Sequence, residues 1–170
     1  LTGNGYQFIG MDHFARPADE LAVAQREGIL HRNFQGYTTQ GDCDLLGLGV
    51  SAISMLGDNY AQNQKDLKTY YAQVEEQGHA LWRGLVLTDD DCLRRDVIKT
   101  LICNFQLNFA QIEALYPIDF KSYFAEDLNL LIPMAEDDLV EISETGIKVT
   151  PQGRLLIRNI CMCFDVYLRR

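Results

Sequence analysis

The first third of the chain alternates short apolar runs with polar loops, a pattern typical of strands joined by turns. Residues 6–11 are aromatic and β-branched and are followed by polar residues, so they predict a strand that ends in a polar loop. Residues 19–28 mix apolar positions with Glu and Gln and end at Gly28, which predicts a short helix. Residues 31–42 contain no aliphatic run, and we expect a strand or an extended loop with exposed side chains.

Small residues are concentrated in residues 44–54, where Gly47, Gly49 and Ala52 have the spacing of a dinucleotide-binding fingerprint. No convincing strand precedes them, and the acid about 20 residues further on, Asp66, falls inside a predicted helix. We therefore favour glycines that allow close backbone approach to a neighbouring strand or a ligand.

A helix is predicted over residues 63–78, because apolar and aromatic positions recur at i, i+3, i+4 and i+7 and Gly78 follows as a C-terminal cap. Asn63 is the expected N-cap of this helix. Its two adjacent tyrosines, residues 70–71, are expected to belong to the core rather than to a reactive site. Residues 81–87 form a short apolar run that predicts a strand.

The second half of the chain is predicted to be mostly helical. Thr88 precedes three aspartates, which favour the positive end of a helix dipole, so a helix is expected to start there. Two further helices are expected, one ending before Pro117 and one over residues 120–131. Residues 139–149 alternate around a glycine-containing turn and predict a β-hairpin, and a closing helix is expected after Thr150. This order of elements predicts a winged-helix-like domain.

The charge of the chain limits the partners of that domain. The 170 residues are 47% hydrophobic and carry 15 Lys and Arg against 24 Asp and Glu, a net charge of −9. Such a surface repels phosphate groups, and we expect neither a nucleic acid nor a membrane as a partner. Within residues 120–138, Lys121 is the single base against five acids, so we expect a packing or lid role for the domain instead of DNA binding.

The five cysteines do not have the spacing of a metal site. Their successive separations are 49, 11, 58 and 2 residues, and we expect reduced thiols in a cytoplasmic protein. Cys161 and Cys163 fall in a predicted helix, where side chains two residues apart diverge by about 200°. We therefore interpret both as core thiols. Cys43 lies between Asp42 and Asp44, whose carboxylates disfavour a thiolate, so it is expected to be a poor nucleophile.

One local acid and imidazole pair remains, Asp12 followed by His13 at the end of the first predicted strand. A general base at His13 is one interpretation, and a structural pair is the other.

Three stretches carry a resemblance to a known family: residues 6–54, which include IGMDHFA and NFQGYTTQGDCDLLGLGVSAIS, residues 90–105, and residues 152–170, which include LLIRNICMCFD. They resemble the oxygen-independent coproporphyrinogen III oxidases, a radical S-adenosylmethionine family of bacterial haem synthesis. The resemblance extends over nearly the whole chain.

The resemblance implies a parent enzyme that uses a [4Fe–4S] cluster and S-adenosylmethionine to generate a 5′-deoxyadenosyl radical. That radical abstracts hydrogen from two propionates of coproporphyrinogen III, which become vinyl groups with loss of CO2, giving protoporphyrinogen IX. The implied fold class is α+β. Residues 1–87 are expected to be the C-terminal end of an incomplete (β/α) barrel with its closing segments, and residues 88–170 a mostly helical, winged-helix-like domain that covers the substrate.

By the same resemblance, Phe34, Gln35 and Ile53 match family positions beside S-adenosylmethionine. Gln35 can donate to and accept from an amino acid or adenine edge, and the other two side chains supply apolar walls. The family's C-x3-C-x2-C cluster motif does not occur in these residues, so the cluster ligands are expected outside this chain and no catalytic or metal-binding residue is expected within it. We therefore expect the C-terminal part of a longer, monomeric enzyme, inactive by itself.

Two alternatives from other classes stay open. The first is a cluster-free module that binds a tetrapyrrole, for which His13, His31 and His79 are the available axial imidazoles. The second is an acidic, winged-helix-like protein that binds other proteins.

Overall fold

The structure is a computed structural model that describes residues 1–41 and 43–169. It contains two compact units. The first, which we call the discontinuous unit, comprises Leu1–Gly41 and Leu93–Arg170. The second, the inserted unit, comprises Asp42–Cys92. These units do not coincide with the expected division after residue 87, because residues 1–41 pack with the helices of the second half.

Helices and short strands are mixed in the fold, and every strand pairing in the part of the chain that the structure describes is antiparallel. The strands form four small sheets, and none of these sheets closes into a barrel. The α+β expectation is therefore confirmed at the level of a mixed fold. Among the described residues, no helix combines the length and the apolar composition needed to cross a membrane.

The discontinuous unit begins with two hairpins that flank a helix. Its elements are β1 (Gln7–Gly10), β2 (His13–Ala15), α1 (Glu20–Glu27), β3 (His31–Asn33) and β4 (Gly36–Thr38). The predicted helix is confirmed, with Asp19 accepting a hydrogen bond from the backbone N–H of Leu21 and Gly28 in the left-handed conformation. The predicted first strand is also confirmed, but the chain then turns back as β2 instead of ending in a loop.

The helical half of the same unit has the predicted order with one addition. Its elements are α3 (Asp89–Asn104), β8 (Gln106–Asn108), α4 (Phe109–Leu115), α5 (Phe120–Tyr123), α6 (Ala125–Glu136), β9 (Val140–Ile142), β10 (Gly146–Val149) and α7 (Ile157–Met162). Thr88 and Asp91 hydrogen-bond each other's backbone N–H groups, which confirms the predicted helix start. The predicted hairpin is confirmed, and the unpredicted β8 pairs with β10 as a third strand. The helix expected over residues 120–131 is instead divided at Phe124 and continues through Pro133.

The inserted unit is a three-stranded sheet with one helix, built from β5 (Ile53–Leu56), β6 (Asn59–Asn63), α2 (Leu67–Gln77) and β7 (Leu81–Val86). Two predictions are wrong here. Asn63 ends β6, and the N-cap of α2 is Asp66, which accepts from the backbone N–H of Thr69 at 2.8 Å. The tyrosine pair is not core, because Tyr71 is 57% exposed and α2 buries no residue.

The core of the discontinuous unit is built around stacked phenylalanines. Phe109 stacks on Phe120 at 4.3 Å between ring centroids, and Phe120 contacts Phe124 at 4.6 Å. Phe124 in turn meets Phe164 edge to face at 5.6 Å. Because these rings come from α4, from α5, from the junction of α5 with α6 and from the segment after α7, their contacts join the helices of the second half into one core.

A buried ion pair lies against this core. Nη1 of Arg94 donates to Oδ1 of Asp127 at 2.8 Å and to the carbonyl oxygen of Phe164 at 3.1 Å. The guanidinium carbon also lies 5.2 Å from the ring centroid of Phe124. Asp127 is only 2% exposed, and the bond from Arg94 replaces part of the interaction that its carboxylate loses with water.

Cys161 and Cys163 are core residues, as predicted, and Cys103 is a third buried thiol. Burial raises the pKa of Cys103 and of Cys161 to about 12. These thiols are therefore protonated at neutral pH and contribute apolar packing.

We expect Asp127→Asn to lower the free energy of unfolding by about 3 kcal/mol, because it leaves the Arg94 guanidinium buried beside a neutral group. Urea denaturation of the chain followed by circular dichroism measures this change. The matched control is Glu141→Gln, which removes an exposed ion pair of 3.4 Å to Lys148 and is expected to change stability by less than about 1 kcal/mol. Equal effects of the two variants would contradict the assignment.

We expect iodoacetamide at pH 8 to modify exposed Cys43 in the native protein while Cys103 and Cys161 stay unmodified. Thiolate is the reactive form, and a pKa raised to about 12 leaves almost none of it at that pH. Mass spectrometry of peptides from native and urea-unfolded samples measures the labelling. Native labelling of Cys103 as fast as that of Cys43 would contradict the structure.

Candidate functional site

The hairpin formed by β3 and β4 positions two of the three predicted site residues. Asn33 pairs with Gly36, so Phe34 and Gln35 are the two residues of the turn between the strands. Oδ1 of Asn33 accepts from the backbone N–H of Gln35 at 2.8 Å, which fixes the turn. Phe34 is 51% exposed and Gln35 is also exposed. The structure thus places both side chains together at an accessible hairpin tip.

Ile53, the third predicted residue, lies in the inserted unit, and the structure does not place it on the same element as Phe34 and Gln35. It is the first residue of β5, pairs with Gln62 and is half-buried. A Cβ on Gly47 would lie 2.7 Å from the carbonyl oxygen of Ile53. The predicted role of Gly47 in close backbone approach to a neighbouring strand is therefore confirmed.

Gly49 is a glycine for a different reason. Its φ of +100° lies in the region that side chains disfavour, whereas a Cβ there would meet no atom within 4 Å. This residue serves the turn before β5 rather than a close contact. Nearby, Oδ1 of Asp44 accepts from the backbone N–H of Gly57, while Asp42 lies outside the described residues.

Next to the hairpin tip, two side chains contact one tyrosine ring, and a third side chain contacts one of these two. Arg32 pairs with Tyr37 across the two strands, and its guanidinium carbon lies 5.6 Å from the centroid of the Tyr37 ring. The His13 ring meets the same ring edge to face at 5.2 Å between centroids. Nδ1 of His13 lies 2.9 Å from Oδ1 of Asp12. We call Asp12, His13, Arg32 and Tyr37 the Tyr37 cluster.

Tyr37 is the centre of this cluster, and its side chain is fixed in position and neutral. Its hydroxyl donates to the carbonyl oxygen of Ile102 at 3.4 Å, and burial raises its pKa to about 12. A Cβ on Gly10 would clash with the hydroxyl, so β1 needs a glycine at this point. A phenol with this pKa is a poor acid or base at neutral pH, and Tyr37 instead acts as a support for its neighbours.

Sequence reasoning found part of the Tyr37 cluster. Asp12 and His13 are adjacent in the chain and were recognisable as a pair, but Arg32 and Tyr37 were missed. A signal for them existed, since a two-residue turn at residues 34–35 places position 32 opposite position 37. That register could have been predicted once the turn was recognised.

Among the described residues, no three His, Cys, Asp or Glu side chains lie together in a group that could hold a metal ion. A cavity of about 470 Å³ in the discontinuous unit is lined mostly by polar residues, among them Thr100, Asn104 and Gln111. None of the residues predicted for a site from the sequence lines this cavity.

Comparison with known proteins gives consistent matches over the whole chain. The chain is 74% identical to oxygen-independent coproporphyrinogen III oxidase from Escherichia coli over all 170 residues, which are 37% of the length of that protein. The proteins of that name from Pseudomonas aeruginosa and Helicobacter pylori are 54% and 42% identical over 99% of this chain, which corresponds to 36% and 37% of their lengths. The chain thus spans little more than a third of these relatives.

A solved structure and a family model agree with the sequence matches. The structure, described as coproporphyrinogen III oxidase (HemN) from Escherichia coli, a radical SAM enzyme, superimposes with a TM-score of 0.95 over 98% of this chain and 38% of that one, at 74% identity. The model of the HemN C-terminal domain matches residues 87–156. Residues 87–156 are therefore similar to the HemN C-terminal domain, and the chain is similar along its whole length to part of the oxygen-independent coproporphyrinogen III oxidases.

Proposed function

We propose that this chain is the C-terminal part of an oxygen-independent coproporphyrinogen III oxidase. The enzyme would convert two propionates of coproporphyrinogen III to vinyl groups with loss of CO2, giving protoporphyrinogen IX. The observation that carries this proposal is the 74% identity over all 170 residues with an enzyme of that name. The fold agreement, a TM-score of 0.95 with a radical SAM enzyme, supports it independently of the name.

Within that enzyme, residues 1–87 would contribute the end of the radical SAM barrel, and residues 88–170 a winged-helix-like domain that covers the substrate. The order of elements supports the second assignment, since α3, α4 and α6 precede the β9–β10 hairpin and α7 follows it. The surplus of 24 acids over 15 bases favours a packing or covering role over nucleic-acid binding. The parent enzyme that we propose is cytoplasmic and monomeric.

Phe34, Gln35 and Ile53 would line the S-adenosylmethionine pocket. The exposure of Phe34 and Gln35 at a fixed turn supports this role, because a ligand can reach both side chains without unfolding the hairpin. The Gln35 amide can both donate and accept, and Phe34 offers an apolar face. S-adenosylmethionine would supply the radical chemistry, while these residues bind and orient it.

The iron–sulfur cluster does not fit the described residues of this chain. Cys103, Cys161 and Cys163 are buried as core thiols, and the described residues contain no three-ligand group. We therefore assign the cluster ligands to another part of the parent protein. The role of this chain is then to bind and cover ligands, without a redox centre of its own.

We expect the natural full-length protein that contains this chain, purified without oxygen, to convert coproporphyrinogen III to protoporphyrinogen IX when supplied with S-adenosylmethionine and an electron donor. Product is measured by porphyrin fluorescence after oxidation, together with the CO2 released. The 170-residue chain assayed alone is expected to form none, since it lacks the cluster motif. Absence of product with the full-length protein, or product formed without S-adenosylmethionine, would contradict the proposed function.

We expect Gln35→Ala in the full-length protein to weaken the binding of S-adenosylmethionine by about tenfold, the effect of losing one hydrogen bond to a polar ligand. The iron content should stay unchanged, because Gln35 is not a cluster ligand. Equilibrium dialysis measures the affinity. The matched control is Gln77→Ala at the exposed end of α2, which should leave the affinity unchanged. Equal affinity of the two variants would remove Gln35 from the site.

A further inference from the structure

Arg32 lies over the Tyr37 ring but lacks an acid partner among the described residues. Its Nε is buried and has no hydrogen-bond partner. No carboxylate of the described residues forms an ion pair with it, although the whole chain contains 24 Asp and Glu. A buried donor without an acceptor is destabilising, and more so when the group is charged. A bound ligand with an acceptor oxygen at the guanidinium is one way to satisfy this donor.

A second donor lies beside the same ring. His13 contacts the edge of Tyr37, and its Nδ1 is next to Oδ1 of Asp12. Nε2 is on the opposite side of the imidazole and faces Gly36, where a Cβ would lie 3.6 Å away. Because Gly36 has no side chain, the space between His13 and the turn stays open. Arg32 and His13 thus flank the neutral Tyr37 ring; Arg32 donates, and His13 donates from Nε2 in the form that has both ring nitrogens protonated.

The donor set indicates the chemistry of the ligand. A guanidinium presents parallel N–H groups that match the two oxygens of a carboxylate, and an imidazole N–H adds a third hydrogen bond. Asp12 is the nearby acid, but its side chain is 88% exposed and lies against His13, so it does not occupy the side of Arg32. Cys103 and Cys161, two further titratable groups near Tyr37, are protonated at neutral pH and carry no charge.

We propose that Arg32, together with His13, binds a carboxylate group of a ligand on the Tyr37 ring. The inference rests on the proposed function, which offers two sources of this chemistry: a propionate of the tetrapyrrole and the carboxylate of S-adenosylmethionine. The position of Arg32, two residues before Phe34, places the carboxylate site on the hairpin that carries the proposed cofactor residues.

The test uses Arg32→Gln in the full-length protein and three probes: S-adenosylmethionine, coproporphyrin III, and the tetramethyl ester of coproporphyrin III, which has no free carboxylate. Equilibrium dialysis measures the first affinity, and fluorescence titration measures the other two. We expect a tenfold to hundredfold loss of affinity for the probe whose carboxylate Arg32 binds, on the order of one charge-assisted hydrogen bond. A loss for coproporphyrin III but not its ester identifies the propionate. A loss for S-adenosylmethionine identifies the cofactor.

Two further variants guard against a purely structural effect. Arg32→Lys keeps the charge but loses the paired N–H groups, and it should weaken the same probe by a smaller factor. Arg154→Gln is the matched control, because Arg154 also has a buried Nε without a partner and lies over an aromatic ring, that of Phe105, yet it is distant in sequence from the hairpin. It should leave all three affinities unchanged, and the thermal midpoint of each variant is measured alongside.

The outcomes separate this inference from the proposed function. A wild-type protein that binds S-adenosylmethionine and coproporphyrin III, with Arg32→Gln and Arg32→Lys equal to it for every probe, overturns the carboxylate site alone. Equal losses in Arg32→Gln and Arg154→Gln also overturn it. A wild-type protein that binds neither ligand overturns the proposed function, and the carboxylate site with it.

Discussion

The fit of the Tyr37 hydroxyl between β1 and the end of α3 is the contact on which the candidate site depends. The hydroxyl lies against the backbone of Gly10 and donates to the carbonyl oxygen of Ile102. Three segments that are far apart in sequence therefore meet at one side chain. Since β4 carries Tyr37, its position also determines where the Phe34–Gln35 turn lies. A side chain at Gly10 would displace Tyr37, and Arg32 and His13 would lose their common support.

The second half of the chain obtains its rigidity differently, from aromatic packing around a buried charge. The rings of Phe120, Phe124 and Phe164 fill the core, and Arg94 lies over one of them while holding Asp127. Such a pair is a costly interaction to break, because removal of one charged partner leaves the other charge buried without it. The helices that it joins have little freedom to separate, which suits the covering role proposed for them.

Much of this fold was predictable, because many of its signals are local. Asp19, Gly28 and Thr88 mark helix ends through contacts within a few residues, and each was recognised from the sequence alone. The wrong or missing predictions concern features that depend on contacts between residues far apart in the sequence. Periodicity placed Tyr71 on a helical face, but it cannot tell whether another element covers that face, and here the residue is exposed. Strand β8 was not predicted for a similar reason, because its three residues form a strand only by pairing with β10.

In the candidate site, too, neighbours in sequence are predictable and contacts between distant residues are not. Neighbours in sequence, such as Asp12 with His13 and Phe34 with Gln35, are pairs that the order of residues alone makes evident. Arg32 could not be connected with His13, because the two meet only through Tyr37. The sequence also does not reveal that Arg32 has no acid partner among the described residues, because the sequence contains acids in excess. Nothing in an acidic sequence distinguishes an arginine without an acid partner from one that is paired or solvated.

The acidic charge of the chain also explains why a local cation would matter for the proposed ligands. Coproporphyrinogen III carries several propionates, and a chain with a net charge of −9 repels them at long range. Salt screens this repulsion beyond roughly 8 Å at physiological ionic strength, whereas a direct contact with a partly buried guanidinium is screened much less. Binding is then governed by the few groups that touch the carboxylate. An arginine that already paired with one of the protein's own acids would have to break that pair first. Arg32, unpaired among the described residues, can bind without this cost.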